Sequence, residues 1–183
     1  MSNGCSVYDA EAATDSIQQY LGRDCLEISG IPILPLDSPA NLTQEMGQLI
    51  GVTIDKQDIS ITHRLSDTKG KKDRFIVKFV RTEKRGKFYK SHKHLGWKKA
   101  KVLPSVACEM GKSIHQDSAM YINEFLTQYR SELFRRVNKF KKENKYKFLW
   151  TNNCKIYLHK HETLQTFTFT TFAEFEDFIA PSQ

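Results

Sequence analysis

The sequence predicts an α+β protein of two globular units, and three observations predict it. A strand-helix-strand, strand-helix-strand order of hydrophobic patterns runs from Cys25 to Asn123, and a long amphipathic helix followed by short alternating segments begins at Thr127. No apolar run approaches the 18 residues of a membrane-spanning helix. With 183 residues, 39% of them apolar and 27% charged, the chain has ordinary globular proportions. It can bury roughly 70% of its unfolded surface without a metal or disulfide staple. Cys5, Cys25, Cys108 and Cys154 lie far apart with no C-x-x-C pair, the pattern of ordinary thiols in a reducing compartment. The opening Met-Ser-Asn-Gly lacks the layout of a secretion signal. The cytoplasm is the expected address, with the nucleus as a second one.

Residues 1–24 form an expected N-terminal helix. Ala10, Ala13, Ile17 and Tyr20 follow the rhythm of a coiled coil for barely one and a half heptads, a coiled-coil remnant that Gly22 ends. So short a seam predicts a monomer in dilute solution, with self-association on a polymer ligand. Cys25–Ile31 alternates and stops at Pro32: a strand with Leu26 and Ile28 on one face. Ser38 then caps a helix with Pro39 in its first position, a buried stripe of Leu42, Met46, Leu49 and Ile50, and Gly51 as its stop. Ile59, Ile61, His63 and Leu65 alternate as a second strand. After a Lys69–Lys72 turn, Arg74–Val80 is a third, with Phe75, Val77 and Phe79 inward. Thr82 is placed to cap a basic helix reaching about Leu95. Residues 96–118 have no convincing period, and Ala119–Asn123 is a fourth strand. The order is that of the split βαβ, ferredoxin-like arrangement over 25–125.

A small α+β C-terminal domain is expected over 126–180. Its first helix runs from Thr127 to about Asn144 on a stripe of Leu126, Tyr129, Leu133, Val137 and Phe140. Phe148–Trp150, Lys155–His159 and Gln165–Thr168 read as short strands, joined by an Asn152-Asn153 turn and a Lys160–Thr163 turn. Thr171 and Glu174 form a capping box that opens a last helix, with Phe172, Phe175, Phe178 and Ile179 inward.

Charge carries the functional signal. The net charge of +7 is concentrated: Lys69–Lys101 holds 14 basic residues against Asp73 and Glu83, and Arg130–Lys160 holds 10 against Glu132 and Glu143. Outside these blocks four basic residues face 17 acidic ones. A merely soluble surface would mix the signs. Two basic blocks on an otherwise acidic chain point to a polyanion, with nucleic acid favoured over solvated helix faces. An anionic membrane fits less well, because the blocks contain no long apolar helical face, and no membrane partner is expected.

Catalysis has little support, and the chain is not expected to be an enzyme. H-E-x-x-H, G-x-S-x-G and clustered metal-binding carboxylates are all missing. Gly111-Lys112-Ser113 resembles the end of a phosphate loop, but Val106 stands where the leading glycine is required. His92/His94 and His159/His161 are H-x-H pairs, and two ligands do not make a metal site. Neither metal nor other cofactor is expected.

A ferredoxin-like sheet in a basic chain suggests an RNA-recognition motif, which can be tested against its signature octapeptide. The match falls on Lys72–Phe79. Val77 and Phe79 suit the core, but Arg74 and Ile76 occupy the positions of the exposed stacking aromatics, and Glu27 does so on the first strand. Such a domain would bind through charge and a groove. A cleft between domains lined by Arg74, Lys78, Arg130 and Arg136 is the expected grip, with Arg135, Lys139 and Lys142 on the far face of the C-terminal helix and Lys147 and Lys155 beside the strands that follow.

An ordered series of short motifs carries a family resemblance: Cys25–Pro32, Asn41-Leu42, the Ile59–Leu65 run with His63-Arg64, Phe75–Phe79, Tyr121–Glu124 with Leu126-Thr127, and Trp150-Thr151 with Lys155–Tyr157. Over about residues 17–180 the series resembles the first open-reading-frame protein of LINE-type retrotransposons and the related baculovirus few-polyhedra (FP) proteins. The resemblance implies a non-canonical RNA-recognition motif, a small C-terminal domain and non-enzymatic chaperone activity on single-stranded RNA or DNA. By that resemblance Arg130, Arg135 and Arg136 match the family's basic helix and Lys155-Ile-Tyr-Leu its strand. A few-polyhedra-like structural or assembly role, with basic faces meeting acidic proteins, is the alternative.

Overall fold

The computed structural model describes residues 4–36, 38–66, 73–109, 117–160 and 165–180. The Lys69–Lys72 turn, the Gly111-Lys112-Ser113 segment and His161 lie outside them, as does most of the Lys160–Thr163 turn. In chain order the elements are α1 (Gly4–Leu21), β1 (Cys25–Ser29), α2 (Pro39–Leu49), β2 (Ile59–Arg64), β3 (Arg74–Phe79), α3 (Thr82–Lys90), α4 (Pro104–Ala107), β4 (Tyr121–Glu124), α5 (Gln128–Glu143), β5 (Phe148–Asn152), β6 (Lys155–His159), β7 (Thr166–Phe169) and α6 (Phe172–Ile179). The protein is α+β with two antiparallel sheets, ordered β2-β3-β1-β4 and β5-β6-β7. It divides into two compact units: Asp24–Phe125, and the segment up to Arg23 together with the segment from Leu126 onward.

In the unit Asp24–Phe125, period-2 alternation sends Leu26, Ile28, Phe75, Val77, Phe79 and Ile122 into one core with Leu42 and Met46 of α2 and Phe88 of α3. Each such side chain contributes about 1.5–3 kcal/mol on burial. Ser38 caps α2 by accepting from Asn41 N (3.3 Å), and Pro39 is its first residue. The helix closes where Gly51 takes φ +78° and Val52 N donates to Gly47 O (2.8 Å).

Three details correct the sequence reading here. Ile59, Ile61 and His63 do not share a face, because the register shifts between Ile59 and Ile61. Beyond this bulge Ile61 pairs with Lys78 and His63 with Ile76 on the outer face, both exposed. Arg64 pairs with Phe75 and donates to Ile31 O (2.7 Å) and Pro32 O (3.0 Å). Thr82 does not cap α3. Arg81 holds the cap position, and the Thr82 hydroxyl donates to Asp24 Oδ1 (2.6 Å). The helix also ends at Lys90 and tightens into a 3-10 turn over Ser91–Leu95. Beneath the sheet Arg85 Nη2 donates to Glu124 Oε1 (2.8 Å), a buried pair tying α3 to β4.

The other unit packs α5 and α6 on the inner face of β5-β6-β7 through Leu133, Val137, Ile156, Leu158, Phe169 and Phe175. Thr127 caps α5 by accepting from Arg130 N (3.2 Å), and the Thr171/Glu174 capping box opens α6. Ile179, expected inward, is 44% exposed at the end of α6. The β5–β6 turn sits one residue later than expected: Asn153 and Cys154, at φ +50° and +59°, are its central residues between the paired Asn152 and Lys155. Two positive φ values in a two-residue loop match the twist of the strands they join.

Helix α1 docks through a polar face that its coiled-coil rhythm does not reveal. Ala10, Ala13, Ile17 and Tyr20 face solvent, whereas Asp15 and Gln19 are buried. The reason lies at the start of α5. There Gln19 Oε1 accepts from Thr127 N (3.1 Å), and Asp15 accepts from the Thr127 hydroxyl and from Arg130 Nε (2.8 Å). Polar groups that satisfy a helix cap outweigh a short apolar stripe in setting which face docks.

Candidate nucleic-acid interface

Helix α5 distributes its cations unequally. At 100° per residue its apolar stripe takes one side and its charges the other. Arg130 is the exception, lying on the buried side. Its Nε meets Asp15, and its Nη1 donates to Cys154 O at 2.7 Å. Arg135 is exposed, but both oxygens of Glu132 hold it at 2.9 and 2.7 Å. This contact draws the Glu132 carboxyl below the usual range, chiefly through the Arg135 hydrogen bond. Arg136 stands 3.6 Å from Glu132 and 4.7 Å over the Phe172 ring, and Lys139 stands 3.9 Å from Glu143.

The lysines that follow are different. Lys141, Lys142, Lys145, Lys147, Lys155 and Lys160 have no carboxylate at ion-pair distance among the described residues, and all but the half-buried Lys141 are exposed. They run from the last turn of α5 to the end of β6. Six cations without counterions among the described residues leave a local positive field for an outside anion to neutralise.

The outer face of the second sheet lies among them. Side chains alternate along each strand, so Leu149, Ile156 and Leu158 point to the core while Phe148, Trp150, Tyr157 and His159 point away. The cross-strand register sets Trp150 opposite Tyr157, their rings 5.4 Å apart and only 11° from parallel, and Phe148 opposite His159 at 6.0 Å. Lys147 Nζ stands 5.3 Å over the Phe148 ring. The His159 ring is oriented by Gln165 O (3.1 Å) and Thr166 Oγ1 (3.2 Å). Lys141, Lys147, Phe148, Leu149, Trp150 and His159 line a shallow, open recess of about 490 Å³.

The expected site residues therefore separate. Lys142, Lys147 and Lys155 are exposed, with no carboxylate partner among the described residues, and Arg135, Arg136 and Lys139 are exposed beside acids. Lys78 is half-buried on the outer face of β3. Arg74 and Arg130 correct the expectation that they present their charge at a surface. Arg74 is buried, its Nη1 3.4 Å from both oxygens of Glu27 and its Nη2 3.3 Å from Ser66 O. Two of the three positions that lack the expected aromatics, Glu27 on β1 and Arg74 on β3, form a salt bridge. Sequence reasoning missed the aromatic set on the second sheet, although the alternation of Phe148 with Trp150 and of Tyr157 with His159 is visible in the chain.

Among the described residues no group of three His, Cys, Asp or Glu side chains is placed to hold a metal ion, and no helix is long and apolar enough to cross a membrane. Residues 127–177, from the α5 cap to the last turn of α6, match the family model of the baculovirus FP protein domain 2. No curated protein matches the chain.

Proposed function

We propose that this protein is a non-enzymatic, sequence-tolerant binder of single-stranded RNA or DNA that acts as a nucleic-acid chaperone. The observation that carries the reading is the run of six lysines from Lys141 to Lys160 with no carboxylate partner among the described residues. Flexible ammonium groups suit phosphate oxygens of varied geometry, which favours tolerance of sequence over its readout. Strand order β2-β3-β1-β4, with helices after β1 and β3, suits a ferredoxin-like, RNA-recognition-motif-like domain. The resemblance of the ordered motifs to LINE-type first-frame proteins supports a place in a retroelement ribonucleoprotein, in the cytoplasm and the nucleus, with self-association on the polymer. The decisive experiment titrates salt against binding to single strands of unrelated sequence. If about six phosphates are neutralised, the log–log slope is near −4. A slope near zero, or tight binding confined to one sequence, would refute the proposal. ATP-independent annealing of complementary oligonucleotides then tests the chaperone step.

One observation favours a second reading. The match of residues 127–177 to the FP domain supports a structural or assembly role in which the lysine surface meets acidic protein. Annealing activity separates the two, since an assembly protein has no reason to speed strand pairing.

A further inference from the structure

We infer that the outer face of the second sheet is a base-stacking platform for one or two unpaired nucleotides, with Trp150 as its principal ring. The inference rests on the single-strand reading above and adds how the strand is told from a duplex. Three features converge. Aromatic rings on the solvent side of a sheet gain nothing from core burial, yet Phe148 is 47% and Trp150 40% exposed there. Trp150 and Tyr157 are held near-parallel, 5.4 Å between ring centroids, and Trp150 also lines the open recess. Lys141 and Lys147 line that same recess, and Lys155 projects from β6 two residues before Tyr157. A ring that stacks on a base and ammonium groups that donate to its phosphates are the two requirements of sequence-tolerant single-strand binding. Every base has a π-face, but only an unpaired one exposes it. A duplex can offer this surface its phosphates alone.

On the first sheet Glu27, Arg74 and Ile76 occupy the positions where an RNA-recognition motif carries its stacking aromatics. The structure assigns the stacking to the second sheet instead.

The test uses the full chain, a 12-nucleotide RNA of mixed sequence, the DNA of the same sequence, and the blunt duplex. Trp150→Leu should weaken both single strands about 5- to 100-fold, leave duplex affinity unchanged, and leave the salt slope unchanged, because no cation is lost. Trp150→Phe should retain most of the affinity. In a Trp97→Phe background, Trp150 fluorescence should be quenched on binding single strands and not duplex, which reads the platform without perturbing it. Wild-type affinity in Trp150→Leu, equal loss for duplex and single strand, or no quenching would each overturn the platform while leaving phosphate-led binding intact. Failure of the wild-type chain to bind any single strand would instead remove the underlying reading. Competition by poly-glutamate as effective as RNA would overturn the platform in favour of an acidic protein surface.

Discussion

Arg130 and Asp15 are 115 residues apart in sequence and 2.8 Å apart in space, an ion pair whose side chains are about 10% and 2% exposed. The same aspartate accepts from the Thr127 hydroxyl, and Thr127 in turn caps α5 and takes Gln19 through its backbone. Four polar residues thus close the joint between α1 and α5. The guanidinium also satisfies the Cys154 carbonyl at the β5–β6 turn, so one side chain links a helix start, a second helix and a hairpin. With Nε committed to Asp15 and Nη1 to the Cys154 carbonyl, and the side chain only about 10% exposed, this guanidinium serves that joint rather than an open surface.

Stability is therefore where Arg130 should act. Arg130→Ala leaves Asp15 buried without its cation, and removal of one partner of a buried pair costs about 3–5 kcal/mol. Urea denaturation should show a loss of that size, and Asp15→Asn a smaller one, because the amide oxygen can still accept. Lys142→Ala, by contrast, should leave the midpoint unmoved. Unchanged stability in Arg130→Ala would show that the guanidinium is dispensable to the fold and return it to the binding surface.

Much of the fold was legible because periodicity and caps are local signals. The core alternation of Phe75, Val77 and Phe79, the Ser38-Pro39 start of α2 and the Thr171/Glu174 box are each decided within a few residues and stand where expected. What was not legible depends on residues distant in the chain. No local pattern reveals that Asp15 and Gln19 meet Thr127, so the sequence shows a coiled-coil rhythm in α1 but not the polar face by which it docks. The bulge between Ile59 and Ile61 is set by pairing with β3, and only the pairing tells which of two alternating sets faces inward. Charge counts could locate the basic blocks. They could not separate Arg130, held by a carboxylate from another helix, from Lys142, which has none among the described residues.

That separation makes a quantitative prediction about binding. Replacing Lys142, Lys147 and Lys155 together by Ala should flatten the single-strand salt slope by about 2, at about 0.7 per phosphate contact. The affinity loss should be similar for unrelated sequences. Arg135→Ala should change the slope less than any one of these lysines, since Glu132 already neutralises it at 2.7 and 2.9 Å. A larger effect from Arg135 than from Lys142 in the same assay would contradict this ranking.

Acid should weaken the unit Asp24–Phe125 through Asp58. Its carboxylate is buried between Arg81 and Lys84 and accepts from Asp55 N (3.0 Å). The Arg81 hydrogen bond first, then the Asp55 amide, lower its pKa from 3.8 to about 2. A group whose folded pKa lies below its unfolded one binds more protons unfolded, so stability rises with pH across that interval. The contribution is complete above about pH 4 and disappears as pH falls towards 2. Urea midpoints measured from pH 5 to pH 2 should decline in the wild type and decline less steeply in Asp58→Asn. Parallel curves for the two proteins would assign the acid response to other carboxylates.

Two glycines at similar φ separate backbone strain from steric collision. Gly30 follows β1 at φ +84°, and Gly51 follows α2 at φ +78°. An alanine in this left-handed region costs roughly 1–2 kcal/mol from its Cβ alone. At Gly51 nothing lies within 4 Å of where that Cβ would be, so Gly51→Ala should cost only this amount. At Gly30 the Cβ would fall 2.0 Å from Ala119 O and 2.9 Å from Ala119 C, both backbone atoms on the approach to β4. Neither can rotate aside, so relief requires moving the chain that leads into an edge strand. Movement of Gly30 itself is opposed by its amide, which donates to Asp73 O at 3.1 Å just before β3. Gly30→Ala should therefore lose at least about 2 kcal/mol more than Gly51→Ala, in the range reserved for changes that displace packed backbone. Denaturation of the two variants side by side makes the comparison, and equal losses would mean that the β4 approach yields freely to a methyl group.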